Sequence, residues 1–138
     1  MRVVADTNTV ISGLLWHGAP RQVSDAARDD IIELFTSTML LAELDDVLHR
    51  GKFAGRLALV NVLPHELVFG YASLSTIVEP AVIRPAVLAD PDDDAVLACA
   101  SSVQAEVVVS GDSHLLELKE YKDIPILTAA ELVTRISV

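Results

Sequence analysis

The segments VVAD at residues 3–6 and VVVSGD at residues 107–112 decide the fold class of this 138-residue chain. Each segment is a short apolar run that leads into an aspartate. Apolar runs without polar alternation are typical of strands that are buried on both faces of a sheet. Because further runs of this kind alternate with helical patterns, we predict a parallel sheet that helices cover on both sides.

The same alternation continues through the rest of the chain. Strands are predicted at residues 31–36, 76–78 and 124–127, and helices at residues 20–28, 37–50, 57–63, 64–73, 112–118 and from 128 onward. The run DPDDD at residues 90–94 opens another helix, because Asp90 can cap it and Pro91 suits its first position. No element is predicted between Asp6 and Pro20.

Length and composition predict a single domain over residues 1–138, in which 51% of the residues are apolar. That apolar fraction excludes a disordered acidic protein. The single cysteine, Cys99, excludes an intrachain disulfide framework and a cysteine-based zinc site, and favours a reducing compartment. The net charge of −10 argues against non-specific binding to nucleic acids or anionic membranes, although a local basic groove stays compatible with it. No signal-peptide pattern and no apolar run of ~20 residues is found, so no membrane partner is expected.

Acids at four positions are candidate ligands for a metal ion. Asp6 and Asp112 follow two predicted strands, and parallel strands place their carboxyl ends at one edge of the sheet. Glu43 lies at the edge of a leucine stripe on the helix at residues 37–50, where it can reach a cleft beside the core. Asp94 begins a helix face of small residues that can approach the sheet closely: Ala98, Ser101, Ser102 and Ala105.

Three of these four acids, and the two aspartates beside Asp94, also have a purely structural explanation. Asp6 and Asp112 can cap the segments that follow them, and Glu43 can be a solvated residue. Asp92 and Asp93 can stabilise a helix through its dipole by roughly 0.3–1 kcal/mol each. Four converging carboxylates nevertheless repel one another unless a cation lies between them. Mg²⁺ and Mn²⁺ prefer such oxygen ligands, and they activate water and neutralise charge on a phosphoryl group.

Four motifs in order resemble those of PIN-domain ribonucleases along essentially the whole chain. They are DTN at residues 6–8 with Ser12, LLAEL around Glu43, DPDDDAVLACA at residues 90–100, and VVSGD at residues 108–112 followed by the leucines at 115–116. The resemblance implies a three-layer α/β/α sandwich with a central, mostly parallel sheet. It also implies an endoribonuclease that cleaves single-stranded RNA with water activated by Mg²⁺ or Mn²⁺.

The resemblance assigns roles to particular residues. The catalytic and metal-binding acids are Asp6, Glu43, Asp94 and Asp112. The residues that support them are Thr7, Asn8, Ser12 and Ser110, together with Asp92 and Asp93, which are easily confused with Asp94. Residues 50–53 and 126–131 further resemble VapC-related toxin components of toxin–antitoxin systems. This similarity implies a cognate antitoxin as partner and action in the cytoplasm, and family members commonly form homodimers.

Few residues are candidates for contacts with RNA in so acidic a chain. Basic side chains cluster just after the predicted helix of Glu43: His49, Arg50, Lys52 and Arg56. A basic rim against phosphates and a solvated helix end explain this cluster equally well. Trp16 and His17 can stack on a base, although a lone Trp is more often a core or interface anchor. His114 follows Asp112 closely, but a surface position is favoured for it.

Two other function classes stay open on the sequence. Aspartyl-phosphate proteins also hold Mg²⁺ with acids at strand ends. Phosphatases of the haloacid dehalogenase type, however, need an acid where this chain has Asn8, and response-regulator receivers need adjacent acids where Asp6 stands alone. The remaining class is a non-catalytic PIN-like module that binds RNA or protein.

Overall fold

Six strands form one central sheet in the computed structural model, which describes residues 1–80 and 91–137. They are β1 (Arg2–Ala5), β2 (Glu33–Ser37), β3 (Thr76–Val78), β4 (Val107–Val109), β5 (Glu120–Tyr121) and β6 (Ile124–Leu127). Their order across the sheet is β3-β2-β1-β4-β6-β5. All neighbouring strands are parallel except the short β5–β6 pair. The predicted, mostly parallel sheet is confirmed.

Eight α-helices pack around the sheet within the described residues. They are α1 (Thr7–Leu15), α2 (Ala19–Arg28), α3 (Thr38–Leu48), α4 (Ala54–Val60), α5 (Pro64–Leu74), α6 (Pro91–Val103), α7 (Ser113–Leu118) and α8 (Ala129–Ile136). Asp90, the predicted cap of α6, lies outside the described residues. No single described helix has the length and hydropathy to cross a membrane; only the pair Gly51–Val60 and Pro64–Leu74 meets that requirement, taken together and bent by 79°.

Alternate residues of β1 divide the interior into two hydrophobic cores, because successive side chains of a strand point to opposite faces. Val3 and Ala5 belong to the core that α1, α2, α3, α5 and α8 cover. Val4 belongs to the core under α6 and α7. The fold is therefore the expected three-layer α/β/α sandwich.

Helix α1 has no counterpart among the predicted elements. β-branched residues occupy positions 7, 9, 10 and 11, and Gly13 follows, so the intrinsic helix propensity of the segment is low. Packing against α2 compensates: a Cβ at Gly13 would lie 2.8 Å from the carbonyl oxygen of Pro20. The helix begins directly after β1, which leaves Asp6 between strand and helix at the edge of the sheet.

Strand β2 begins two residues later than predicted. Asp30 has a φ of 59°, and the amides of Ile31 and Ile32 bond to the carbonyl of Ala26 in a turn. The strand ends at Ser37. The hydroxyl of Ser37 accepts a hydrogen bond from the amide of Leu40 and so caps α3. This junction brings the second turn of α3 to the same edge of the sheet as Asp6.

Candidate metal centre

A small cavity at the carboxyl ends of β1 and β4 gathers most of the predicted acids. It has a volume of about 50 Å³ and is lined by Asp6, Thr7, Asn8, Glu43, Asp92, Asp93, Val96 and Asp112. We call it the acidic cavity. Its five carboxylates come from four separate stretches: the end of β1, the middle of α3, the first turn of α6 and the end of β4.

Asp6 is held from both sides of its carboxylate. Oδ1 accepts the backbone amide of Thr9 at 3.0 Å, and Oδ2 accepts the hydroxyl of Ser110 at 2.5 Å. Its own amide donates to the carbonyl of Val109 at 3.0 Å, which extends the pairing of β1 with β4. Asp6 is therefore both a helix cap and a wall of the acidic cavity, with 5% of its surface exposed.

Asp112 caps α7 in a similar way from the end of β4. Its Oδ1 accepts the amide of His114 at 2.7 Å, and its own amide donates to Oγ of Ser110 at 2.9 Å. Ser110 thus contacts two of the predicted acids through one buried hydroxyl. Asp6 and Asp112 therefore each cap a helix and line the acidic cavity at the same time.

Asp93 lines the acidic cavity, whereas Asp94 does not. The sequence favoured Asp94 because its helix face continues through small residues such as Ala98. In the structure both faces are buried one turn further on, at Leu97 and Ala98, but Asp93 itself is 6% exposed whereas Asp94 is only half-buried. Successive helix residues are about 100° apart, so Asp94 lies at a different position around α6 from Asp93. Asp94 as a metal ligand stays a prediction, and Asp93 is the neighbour on α6 that the structure places at the acidic cavity.

Three side chains at the acidic cavity have the spacing of metal ligands. Asp93, Asp112 and His114 each offer a ligand atom, and these atoms lie within 4.8 Å of one another. Carboxylate oxygens with one imidazole nitrogen fit a divalent cation. His114 has an exposed side chain, as expected, but its ring also reaches the acids. In the sequence, the position of His114 two residues after Asp112 was the feature that pointed to a place near the acids.

A cleft of about 580 Å³ opens beside the acidic cavity and shares Asn8 and Asp112 with it. Ser12, predicted to support the acids, lines this cleft instead. The first turn of α8 borders it, and here the predicted capping box is present. The amide of Thr128 donates to Glu131 at 3.0 Å, and the amide of Glu131 donates back to the hydroxyl of Thr128 at 3.1 Å. These contacts with Thr128 lower the pKa of Glu131.

The acidic cavity lies within a recognisable family domain. A family model described as PIN domain matches residues 2–114, which include every residue that lines the cavity. The chain belongs to the PIN-domain family. PIN domains are generally metal-dependent nucleases, and this membership decides against the two aspartyl-phosphate classes. No curated protein matches the chain in a sequence search.

The predicted basic residues of this PIN domain fall into two groups. Nη2 of Arg50 lies 3.5 Å from Oδ2 of Asp46, one turn earlier on α3, which agrees with a solvated helix end. Lys52 and Arg56 lie over aromatic rings instead. Asp46 on α3 thus compensates the charge of Arg50, whereas Lys52 and Arg56 contact aromatic rings.

Proposed function

We propose that this PIN domain is an endoribonuclease that hydrolyses single-stranded RNA with Mg²⁺ or Mn²⁺. The convergence of five carboxylates on a cavity of about 50 Å³ carries the proposal. Like charges at this density repel one another, and a divalent cation relieves the repulsion. Membership of the PIN-domain family supports the same chemistry.

The side chains that would hold the ion are Asp6, Glu43, Asp93 and Asp112, with His114 beside them. When bound, the ion lowers the pKa of water and neutralises the charge that develops on the phosphate. Ser110 orients Asp6 through its hydrogen bond. Asn8 is exposed where the acidic cavity meets the cleft, so its amide can donate to a phosphate oxygen of the substrate.

Hydrolysis needs a proton acceptor and an aligned phosphodiester. A carboxylate of the acidic cavity accepts the proton of the attacking water, and the water oxygen bonds to phosphorus. The P–O3′ bond breaks on the opposite side, and the departing oxygen takes up a proton. The products are a 5′-phosphate and a 3′-hydroxyl.

A nuclease assay tests the proposal directly. Labelled single-stranded RNA, single-stranded DNA and duplex RNA are incubated with the protein in Mg²⁺, in Mn²⁺ and in EDTA. We expect cleavage of single-stranded RNA that stops in EDTA and in the Asp6→Asn variant. Asp29→Asn is the matched control, because Asp29 is exposed at the far end of α2.

Other outcomes of this assay are informative when calorimetry accompanies it. Metal binding without cleavage of any strand in a total-RNA pool would favour a non-catalytic PIN-like module. Absence of both metal binding and cleavage would contradict the metal centre itself.

The toxin role is the finer part of the proposal. The similarity of residues 50–53 and 126–131 to toxin components supports this role. A toxin of this kind acts in the cytoplasm. The partner is then an antitoxin protein that covers the acidic cavity. Induced expression should arrest growth, Asp6→Asn should abolish the arrest, and the product of a neighbouring small gene should relieve it. An active nuclease that causes no growth arrest would contradict the toxin role and leave the nuclease proposal intact. Light scattering of the purified protein would test whether it forms a homodimer.

A further inference from the structure

Four side chains at the C-terminal end of α1 form an aromatic and cationic cluster. The rings of Trp16 and Phe53 meet edge to face with centroids 6.4 Å apart. The guanidinium of Arg56 lies 5.3 Å from the centroid of Trp16, and Nζ of Lys52 lies 5.0 Å from that of Phe53. We call this cluster the aromatic platform.

Hydrogen bonds fix the platform to α1. Nε of Arg56 donates to the carbonyl of Leu15 at 2.7 Å, which places its guanidinium over the indole. The amide of Trp16 donates to the carbonyl of Ser12, so Trp16 continues the helical hydrogen bonding. Trp16 is nevertheless 40% exposed, which excludes the core-anchor explanation for the chain's single tryptophan.

The platform carries positive charge in an acidic chain. Among the described residues, neither Lys52 nor Arg56 forms an ion pair with a carboxylate, whereas nearby Arg50 pairs with Asp46. The net charge of the whole chain is −10. A polyanion approaching this protein therefore meets uncompensated cations at the platform.

The surface of α1 connects the platform to the acidic cavity. Asn8 and Ser12 lie one turn apart on one ridge of α1, and Trp16 is the C-cap that follows Ser12 by four residues and donates its amide to the carbonyl of Ser12. Asn8 lines the acidic cavity, and Ser12 lines the cleft beside it. Eight residues of helix rise by about 12 Å, which three or four stacked nucleotides cover at about 3.4 Å each.

We infer that the aromatic platform binds an unpaired base of an RNA strand whose scissile phosphate lies at the acidic cavity. The inference rests on the proposed ribonuclease function and adds a second contact region to it. An exposed indole with a neighbouring ring offers a base a stacking surface, and the flanking cations contact the backbone phosphates. Stacking tolerates any base, so the platform contributes to affinity and orientation of the strand more than to sequence preference.

Binding is measured separately from cleavage. A fluorescein-labelled 12-nucleotide RNA of mixed sequence is titrated into full-length Asp6→Asn protein in Mg²⁺, and anisotropy gives Kd. Emission of Trp16, the chain's one tryptophan, reports on the platform itself. We expect RNA to quench that emission, and Trp16→Leu to raise Kd about fivefold or more while Trp16→Phe retains most of the affinity.

Lys52 provides a second variant that does not depend on folding at Trp16, because its side chain is exposed. Lys52→Ala should reduce the slope of log Kd against log salt by about 0.7, the value for one phosphate contact on a single strand. With otherwise wild-type protein, Trp16→Leu should raise KM for the 12-nucleotide RNA. It should leave cleavage of a dinucleotide, too short to reach the platform, unchanged.

The outcomes separate the platform from the proposed function. Unchanged Kd and salt dependence in both variants would overturn the platform. An equal loss for the dinucleotide and the 12-nucleotide RNA would also overturn it. Platform-dependent RNA binding by a wild-type protein that never cleaves RNA would contradict the nuclease and support the platform.

Discussion

The hydroxyl of Ser110 donates a 2.5 Å hydrogen bond to Oδ2 of Asp6, a residue 104 positions earlier in the chain. Oγ of Ser110 also accepts a hydrogen bond from the backbone amide of Asp112, at 2.9 Å. Ser110 is 1% exposed, so water does not compete for these bonds. One buried hydroxyl at the end of β4 therefore sets the positions of two acids of the proposed metal centre.

Removing that hydroxyl should weaken the metal centre without unfolding the domain. For Ser110→Ala we expect metal affinity and cleavage to fall by about 10- to 100-fold, the usual effect of losing a group that orients a ligand. Ser110→Thr keeps the hydroxyl and should retain most of the activity. Calorimetry with Mg²⁺ and a cleavage assay measure both effects, and full activity of Ser110→Ala would contradict the role of the bond.

Asp93 and Asp94 differ by about 100° of helix rotation, and a pair of matched variants distinguishes them. Asp93→Asn should abolish detectable cleavage and weaken metal binding, because Asp93 lines the acidic cavity. Asp94→Asn should keep activity within a few-fold of wild type. The reverse result would identify Asp94 as the ligand instead of Asp93.

Leu97 lies one turn beyond Asp93 on the face of α6 that packs against the sheet. It is 0% exposed, so Leu97→Ala should lower the free energy of unfolding by about 2–5 kcal/mol. Leu59→Ala is the matched control, because Leu59 is 74% exposed and its loss should change stability by no more than about 0.5 kcal/mol. Urea denaturation measures both, and similar losses would show that α6 is not packed as described.

Cys99 should react with a thiol reagent only when the domain unfolds. It is 0% exposed, and burial raises its pKa to about 11. At pH 8 only about one thiol in a thousand is then ionised. We expect dithionitrobenzoate to label the folded protein far more slowly than the protein in urea. Rapid labelling of the folded chain would contradict the packing of α6.

The same thiol makes stability depend on alkaline pH. In the unfolded chain its pKa is near 9.0, so between pH 9 and about 11 the unfolded state loses the proton first. Stability that is complete below pH 9 should therefore decrease as the pH rises through this range. Tyr71, whose pKa burial also raises, acts in the same direction. Cys99→Ala should lose less stability than wild type over this range in thermal melts.

Local periodicity was enough to predict the architecture and part of the candidate site. Short apolar strands that alternate with helices indicate a parallel sheet, because only strands covered on both faces dispense with polar alternation. The same reasoning brought Asp6 and Asp112 to one edge, since parallel strands end on the same side. Glu43 followed from its place beside a leucine stripe, which orients α3 on the core.

Tertiary packing decided what periodicity left undetermined. Helix α1 forms although its residues have low helix propensity, because Gly13 lets it lie against α2. The rotation of α6 on the sheet places Asp93 and not Asp94 in the lining of the acidic cavity, and one step of about 100° separates the two. That rotation depends on which helix face fits the strands beneath it. Three adjacent aspartates are alike in the sequence, and only contacts with distant residues decide that Asp92 and Asp93 line the acidic cavity whereas Asp94 does not.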